Sequence, residues 1–273
     1  MRRRVLVVII AVIAGVGACG GERSAREILI DAPGKTLAEQ TSSIDIVVEV
    51  AGGRRSGSFR GQGVFDYRAQ QGRLSFDLAQ FGLPGSRGRA EMLLFRELVY
   101  LKLPIDVPEL AARPWVKIDV NRLGEQSGLG NLGQLQNSDP SAYIRLLRSV
   151  SGEVEDEGSE KVRGVETTHY RTVLDLDEAK RQLPPEIGRI IDQLGTRQLP
   201  TDAWVDEDGR LRRLRHSVDL AKVKAPPAAG EALEGTVTTT YELHDFGVKV
   251  DVAPPPPDQV SDLASLLAGA RPR

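Results

Sequence analysis

His169, His216 and His244 are the side chains of this 273-residue chain best suited to moving a proton or holding a metal. Neither task finds its spacing. A zinc site needs several His, Cys or carboxylate ligands brought together, which sequences commonly announce as HxH, HxxxH, HExxH or paired cysteines. None of these occurs, and the chain has one cysteine, Cys19. No metal and no cofactor are therefore expected. The GxSxG elbow of serine hydrolases is absent, as is a Walker phosphate loop. "GLGNLG" (128–133) is glycine-rich, but no lysine and no strand-to-helix setting accompany it, so it reads as a loop. The acidic runs "EVEDEG" (153–158) and "DEDG" (206–209) lack EF-hand spacing and read as solvated charge runs. In "RLRRLR" (210–215), parity puts Leu211, Arg213 and Arg215 on one strand face and Arg212, Leu214 and His216 on the other. Its arginines are expected to face water or to pair with nearby Asp and Glu. Each histidine is expected to be an exposed or hydrogen-bonded strand residue. With no catalytic constellation, the sequence predicts a protein that is not an enzyme.

Cys19 is the remaining reactive group. Arg2, Arg3 and Arg4 precede fourteen uncharged residues, Val5–Ala18. A spanning helix needs about 20 apolar residues. This run is shorter, and it has the charged flank and small final residues, Gly17 and Ala18, of a signal peptide. "VGAC" resembles a bacterial lipobox, which implies that the Cys19 sulfur receives a diacylglyceryl group and becomes the first mature residue. A lone thiol is unusual in an exported chain, and lipidation would consume it. The expected organisation is a lipoprotein signal peptide at 1–18, then a lipidated N-terminus and tether at 19–34. One domain over 35–252 follows, and a Pro-rich tail with a short helix over 253–273. The expected location is the extracytoplasmic face of the cell membrane, with membrane lipid partnering the anchor. Removing the leader removes three arginines and takes the formal net charge from −2 to −5. No basic patch accumulates, so no nucleic acid partner is expected.

The elements that must position any site are mostly strands. Ile44, Ile46, Val48 and Val50 alternate with Asp45, Val47 and Glu49, the period of a half-buried strand. In "SFRGQGVFDY", Phe59, Phe65 and Tyr67 share a face with Gly61 and Gly63 between them, and strand glycines mark bends or close approaches. Further strands are predicted at 72–79, 88–95, 97–104, 114–120, 152–158, 161–176 and 235–247. A hairpin over 202–220 turns at Asp208-Gly209. Helices are predicted near 28–41 (broken at Pro33-Gly34), over 139–150 after Asp139-Pro140, over 177–195, and after the stiff run Pro254–Pro257. Strands joined by hairpins with few helices between them indicate an α+β protein with an antiparallel sheet. About ten or eleven strands cannot stay flat, so the sheet should curve strongly into a half-barrel, with helices 139–150 and 177–195 on its concave face. That face offers Ile46, Val48, Phe59, Phe65, Phe76, Leu78, Met92 and Leu94. From periodicity alone these form an ordinary core beneath the helices.

The order of "VYLKLP", "PWVKID", "DPSAYIRLL", "EKVRGVETTHYRTVLDL" and "WVDEDGRLRRLR" resembles the LolA/LppX-like lipoproteins, in particular the LppX/LprG type of actinobacteria. The match covers most of residues 35–250. It implies a half-barrel whose hydrophobic cavity, lined by the eight residues just named, binds acyl chains of a lipid or glycolipid for transfer across the envelope. It also implies a partner, either an envelope transporter or a regulatory protein. The same scaffold serves sensory modules that bind proteins, which is the alternative function. No catalytic residue comes with the resemblance.

Overall fold

The structure is a computed structural model describing residues 23–52, 56–77, 88–96, 98–105, 108–119, 140–183, 188, 191–224, 234–263 and 265–266. The leader and Cys19, Leu78, Asp139, the "GLGNLG" stretch and the end of the tail lie outside these residues.

The alternating segments form strands as their period requires: β1 (Thr41–Ala51), β2 (Gly57–Asp66), β3 (Gln71–Asp77), β4 (Arg89–Phe95), β5 (Leu98–Lys102) and β6 (Trp115–Asp119). In the second half come β7 (Val150–Val162), β8 (Val165–Asp175), β9 (Gln198–Asp206), β10 (Leu211–Asp219), β11 (Thr236–His244) and β12 (Val260–Asp262). All twelve join one open sheet in the order β12-β6-β5-β4-β3-β2-β1-β11-β10-β9-β8-β7. Neighbours are antiparallel except β12 with β6, which makes the sheet mixed. The helices are α1 (Ala25–Ala38), α2 (Pro140–Arg145, continued by a 3-10 turn at Leu146–Ser149) and α3 (Leu176–Gln182). The protein is thus a mostly-sheet α+β fold, as expected.

Four expectations change. The segment 161–176 is not one strand: Arg163 and Gly164, at φ 51° and 84°, turn the chain between β7 and β8. Residues 260–262 extend the sheet and are not helical. The N-terminal helix is unbroken and begins at Ala25, inside the stretch expected to be a tether. Ser24 caps it, its hydroxyl accepting from the Glu27 amide while the Glu27 carboxylate accepts from the Ser24 amide. Pro33 lies within it and removes a donor. Burial explains why the helix nevertheless continues. Leu29 and Ala32 are fully buried, and Thr36 donates to the Ala32 carbonyl (2.7 Å) while accepting from the Leu211 amide (2.8 Å), which ties α1 to β10. Finally, a bulge between Leu211 and Arg213 shifts the parity of β10, so Leu211 and Leu214 both point into the core, against the expectation for Leu211.

Helices and sheet meet in one core. Ile44, Phe65, Leu74, Leu94, Ile118 and Leu243 from the sheet pack with Leu29, Leu147 and Leu176 from the helical segments. On the opposite sheet face, Val252 and Val260 of the tail pack on Leu93, Tyr100 and Trp115, so part of the tail belongs to the domain.

The "DEDG" run is not wholly solvated. The Asp206 carboxylate is buried and accepts from Arg210 Nε (3.0 Å), Arg212 Nε (2.8 Å) and the Arg210 amide (2.8 Å). Burial works against its charge, but these hydrogen bonds outweigh it and hold its pKa below the usual carboxylate range.

Gly63 marks a close approach. A Cβ there would lie 2.0 Å from the Arg73 carbonyl oxygen and 2.8 Å from Leu74 Cδ2. Because the oxygen belongs to the backbone of β3, it cannot swing aside. Gly63→Ala is expected to cost about 1–3 kcal/mol, read as a lower denaturation midpoint. An unchanged midpoint would show that β2 and β3 are not held this closely.

Candidate functional site

Register defines a face that burial then divides. Directly opposed residues lie on the same side of a sheet. On that basis Val48 stands between Phe59 and Thr239, Ile46 between Gly61 and Tyr241, and Gly61 beside Phe76. Across the same face His216 stands between Thr239 and Thr201, and Tyr241 beside Leu214. Along β1, relative exposure runs from 0% at Ser42 through 1% at Ile44 to 9% at Ile46, and Val48 is only half-buried. β11 repeats this, with Leu243 buried and Tyr241, Thr239 and Val237 half-buried. On β10, Leu211 and Leu214 are buried while His216 and Val218 are half-buried. Among the described residues, one half of the concave face is therefore sealed beneath the helices, and the other half, here called the open half, is only half-buried.

The open half is apolar at its floor. Phe76 lies over Gly61, where a Cβ would come within 2.5 Å of the ring, and Phe59 meets Phe76 edge-on at 6.2 Å. Tyr143 from α2 reaches across to stack on Tyr241 (5.0 Å, 27°) and His216 (6.3 Å, 13°). Burial raises the pKa of both phenols, Tyr241 well above its ordinary value, where the neighbouring Tyr143 adds to the effect. Burial also pushes the His216 imidazole down to about 4. The whole cluster is uncharged at neutral pH.

The sequence-derived residues fall into both halves. Phe65, Met92 and Leu94 sit in the sealed core, Ile46 stands at the border, and Val48, Phe59 and Phe76 line the open half. Tyr143, His216, Val218, Val237, Thr239 and Tyr241 are on the same face and escaped the sequence reading. Parity along "TVTTTYEL" already groups Val237, Thr239, Tyr241 and Leu243, but nothing local shows that β11 adjoins β1.

The other two histidines face outward and are hydrogen-bonded, as expected. His169 Nε2 pairs with Asp202 (2.9 Å) and its ring stacks on Trp204 at 4.2 Å, while His244 Nδ1 pairs with Asp245 (2.9 Å). His216 differs, because it points inward. The arginines are paired as expected: Arg213 with Glu242 (2.8 Å) and Glu160 (3.1 Å), Arg215 with Asp202 (3.1 Å). Among the described residues no trio of His, Cys, Asp or Glu is placed to hold a metal.

Sheet and face together define the class: an open, curved, mostly-sheet protein whose apolar concave face is partly covered by its helices among the described residues. No family model matches the chain. It is 27% identical over 201 residues to an uncharacterized 31.2 kDa protein of Streptomyces griseus, covering 69% of this chain and 62% of that protein. It is 27% identical over 162 residues to a Streptomyces coelicolor protein provisionally described as a lipoprotein, covering 58% of this chain and 46% of the other. The chain thus spans less than two thirds of either relative. Among solved structures it is similar to the Mycobacterium tuberculosis lipoprotein LppX, with TM-score 0.47 and 13% identity, over 82% of this chain and 98% of LppX.

Proposed function

We propose that the protein is a membrane-anchored lipoprotein that holds lipid acyl chains against the open half of its concave face, as a carrier in the cell envelope. The observation that supports this reading is the half-buried apolar surface of Val48, Phe59, Phe76, Val218 and Val237, lying beside a fully packed core in the same sheet. A chain laid on such a surface gains about 0.8 kcal/mol for each buried methylene. Binding of that kind needs no charged or catalytic group, in keeping with the absence of recognisable catalytic motifs. Organic-solvent extraction of the purified protein, followed by mass spectrometry, tests the reading. Recovered acyl lipid at a fixed ratio to protein is expected. A protein that carries no lipid and takes up none when offered it overturns the proposal.

Anchoring is assigned to Cys19. No helix among the described residues is long and apolar enough to cross a membrane. Cys19→Ala removes the sulfur that would form the thioether, and the variant is expected to leave the detergent phase for the aqueous phase on phase separation, or to retain its leader. Continued partition into detergent after leader removal rules out this anchor.

A further inference from the structure

His216 and Thr239 face each other across β10 and β11 on the open half of the concave face. Neither side chain has a hydrogen-bond partner among the described residues, and both are half-buried. Neighbouring threonines on this face show the contrast: Thr172 donates to the Glu153 carbonyl (3.3 Å) and Thr201 to the Leu199 carbonyl (3.0 Å). Their polar atoms are not sealed from solvent, so water can satisfy them in the free protein and a ligand group entering the concavity can take that water's place.

We propose that His216 and Thr239, framed by the rings of Tyr143 and Tyr241, form a subsite that hydrogen-bonds an uncharged hydroxyl group carried on the apolar chain of the ligand. The inference rests on the carrier reading and names what that carrier distinguishes. A neutral imidazole offers one donor and one acceptor, and which nitrogen holds the proton is not fixed by any protein partner. A ligand hydroxyl both donates and accepts, so it pairs with either tautomer and with the threonine hydroxyl. A carbonyl can only accept. A carboxylate would find no counter-charge on this face, because Arg213 and Arg215 point to the convex side and are bound to Glu242, Glu160 and Asp202. The phenols remain neutral for the reason already given.

The test is competition against N-phenyl-1-naphthylamine bound to the full chain, comparing octadecanoate with monohydroxylated octadecanoates of several positions. One or more hydroxylated isomers should bind about fivefold tighter than octadecanoate, whose plain chain displaces the water from these groups without replacing its hydrogen bonds. In His216→Leu that preference should fall below about twofold, while octadecanoate binds as well or better. Thr239→Val, which keeps the shape and removes the hydroxyl, should weaken the preference in the same direction. Both variants replace an unpartnered polar group by an apolar one, so their melting temperatures should hold or rise. If octadecanoate binds and no isomer is preferred, or the preference survives in both variants, the subsite is overturned while the carrier reading stands. If no chain displaces the probe, the carrier reading falls and the subsite with it.

Discussion

Phe65→Ala should cost about 3–5 kcal/mol of folding stability, whereas Val48→Trp on the neighbouring strand should cost little and instead block ligand uptake. The two positions share a sheet face but not an environment. Phe65 is 1% exposed, packs against Tyr67 at 5.6 Å, and covers Gly72, where a Cβ would come within 2.5 Å of its ring. The Tyr67 hydroxyl beside it is hydrogen-bonded to Ser42 (2.5 Å), so the aromatic pair is fixed on both sides. Phe65 belongs to the core shared by sheet and helices, so removing its ring leaves a cavity among fixed neighbours. Val48 lies beyond the sealed end, with Phe59 on one side and Thr239 on the other. Val48 is half-buried, so an indole there has fewer fixed neighbours to displace than a change at Phe65 would. Denaturation midpoints measure the first effect; melting temperature and uptake of a fluorescent fatty acid measure the second. A folded Val48→Trp with undiminished uptake would remove the open half as the binding surface. An unfolded one would show that the half is packed after all.

How far the residues foretold this division depends on which link is considered. β1 to β6 and the β9–β10 hairpin were legible because a two-residue period and an Asp-Gly turn are local signals. The β7–β8 turn was not, since Arg163-Gly164 lacks the Asn or Asp that usually marks such a turn, and charged residues run through both flanks. α1 was misread at Pro33. Its capping box, Ser24 with Glu27, was in plain sight, but what carries the helix past a proline is burial of Leu29, Ala32 and Thr36 against strands much later in the chain. β12 is three residues long and pairs in parallel with β6, too short to leave a periodic trace. The concave face followed from parity. Its separation into sealed and open halves did not, because that depends on where α1 and α2 rest, and no spacing in the sequence records it. His216 shows the consequence: parity puts it on the inner face with Leu214, but only the placement of α2, whose Tyr143 stacks on the ring, shows that the imidazole is desolvated there.

That inward placement makes His216 the largest expected source of pH dependence between pH 6.5 and 4.5. Burial drops its pKa from 6.5 to about 4, so in this range the unfolded chain takes up a proton that the folded chain refuses. Stability is therefore full above pH 6.5 and declines as the pH falls toward 4, by about 3 kcal/mol in all. The groups facing the ring are Tyr143 from α2, Tyr241 and Thr239 from β11 and Thr201 from β9, and none of them supplies a negative charge that would stabilise the imidazolium. The depressed carboxylates, Asp202 and Asp206, act elsewhere on the scale. Their contribution is present above the unfolded carboxylate pKa of about 4 and is lost only as the pH falls through still lower values. Denaturant unfolding at pH 7.0 and pH 4.5 separates the two. The parent should lose about 2–3 kcal/mol more than His216→Leu over that interval, because the variant has no imidazole to titrate in either state. Equal losses would show that solvent reaching the half-buried ring keeps its pKa at the ordinary value, and the uncharged character of the cluster below pH 6.5 would fall with it.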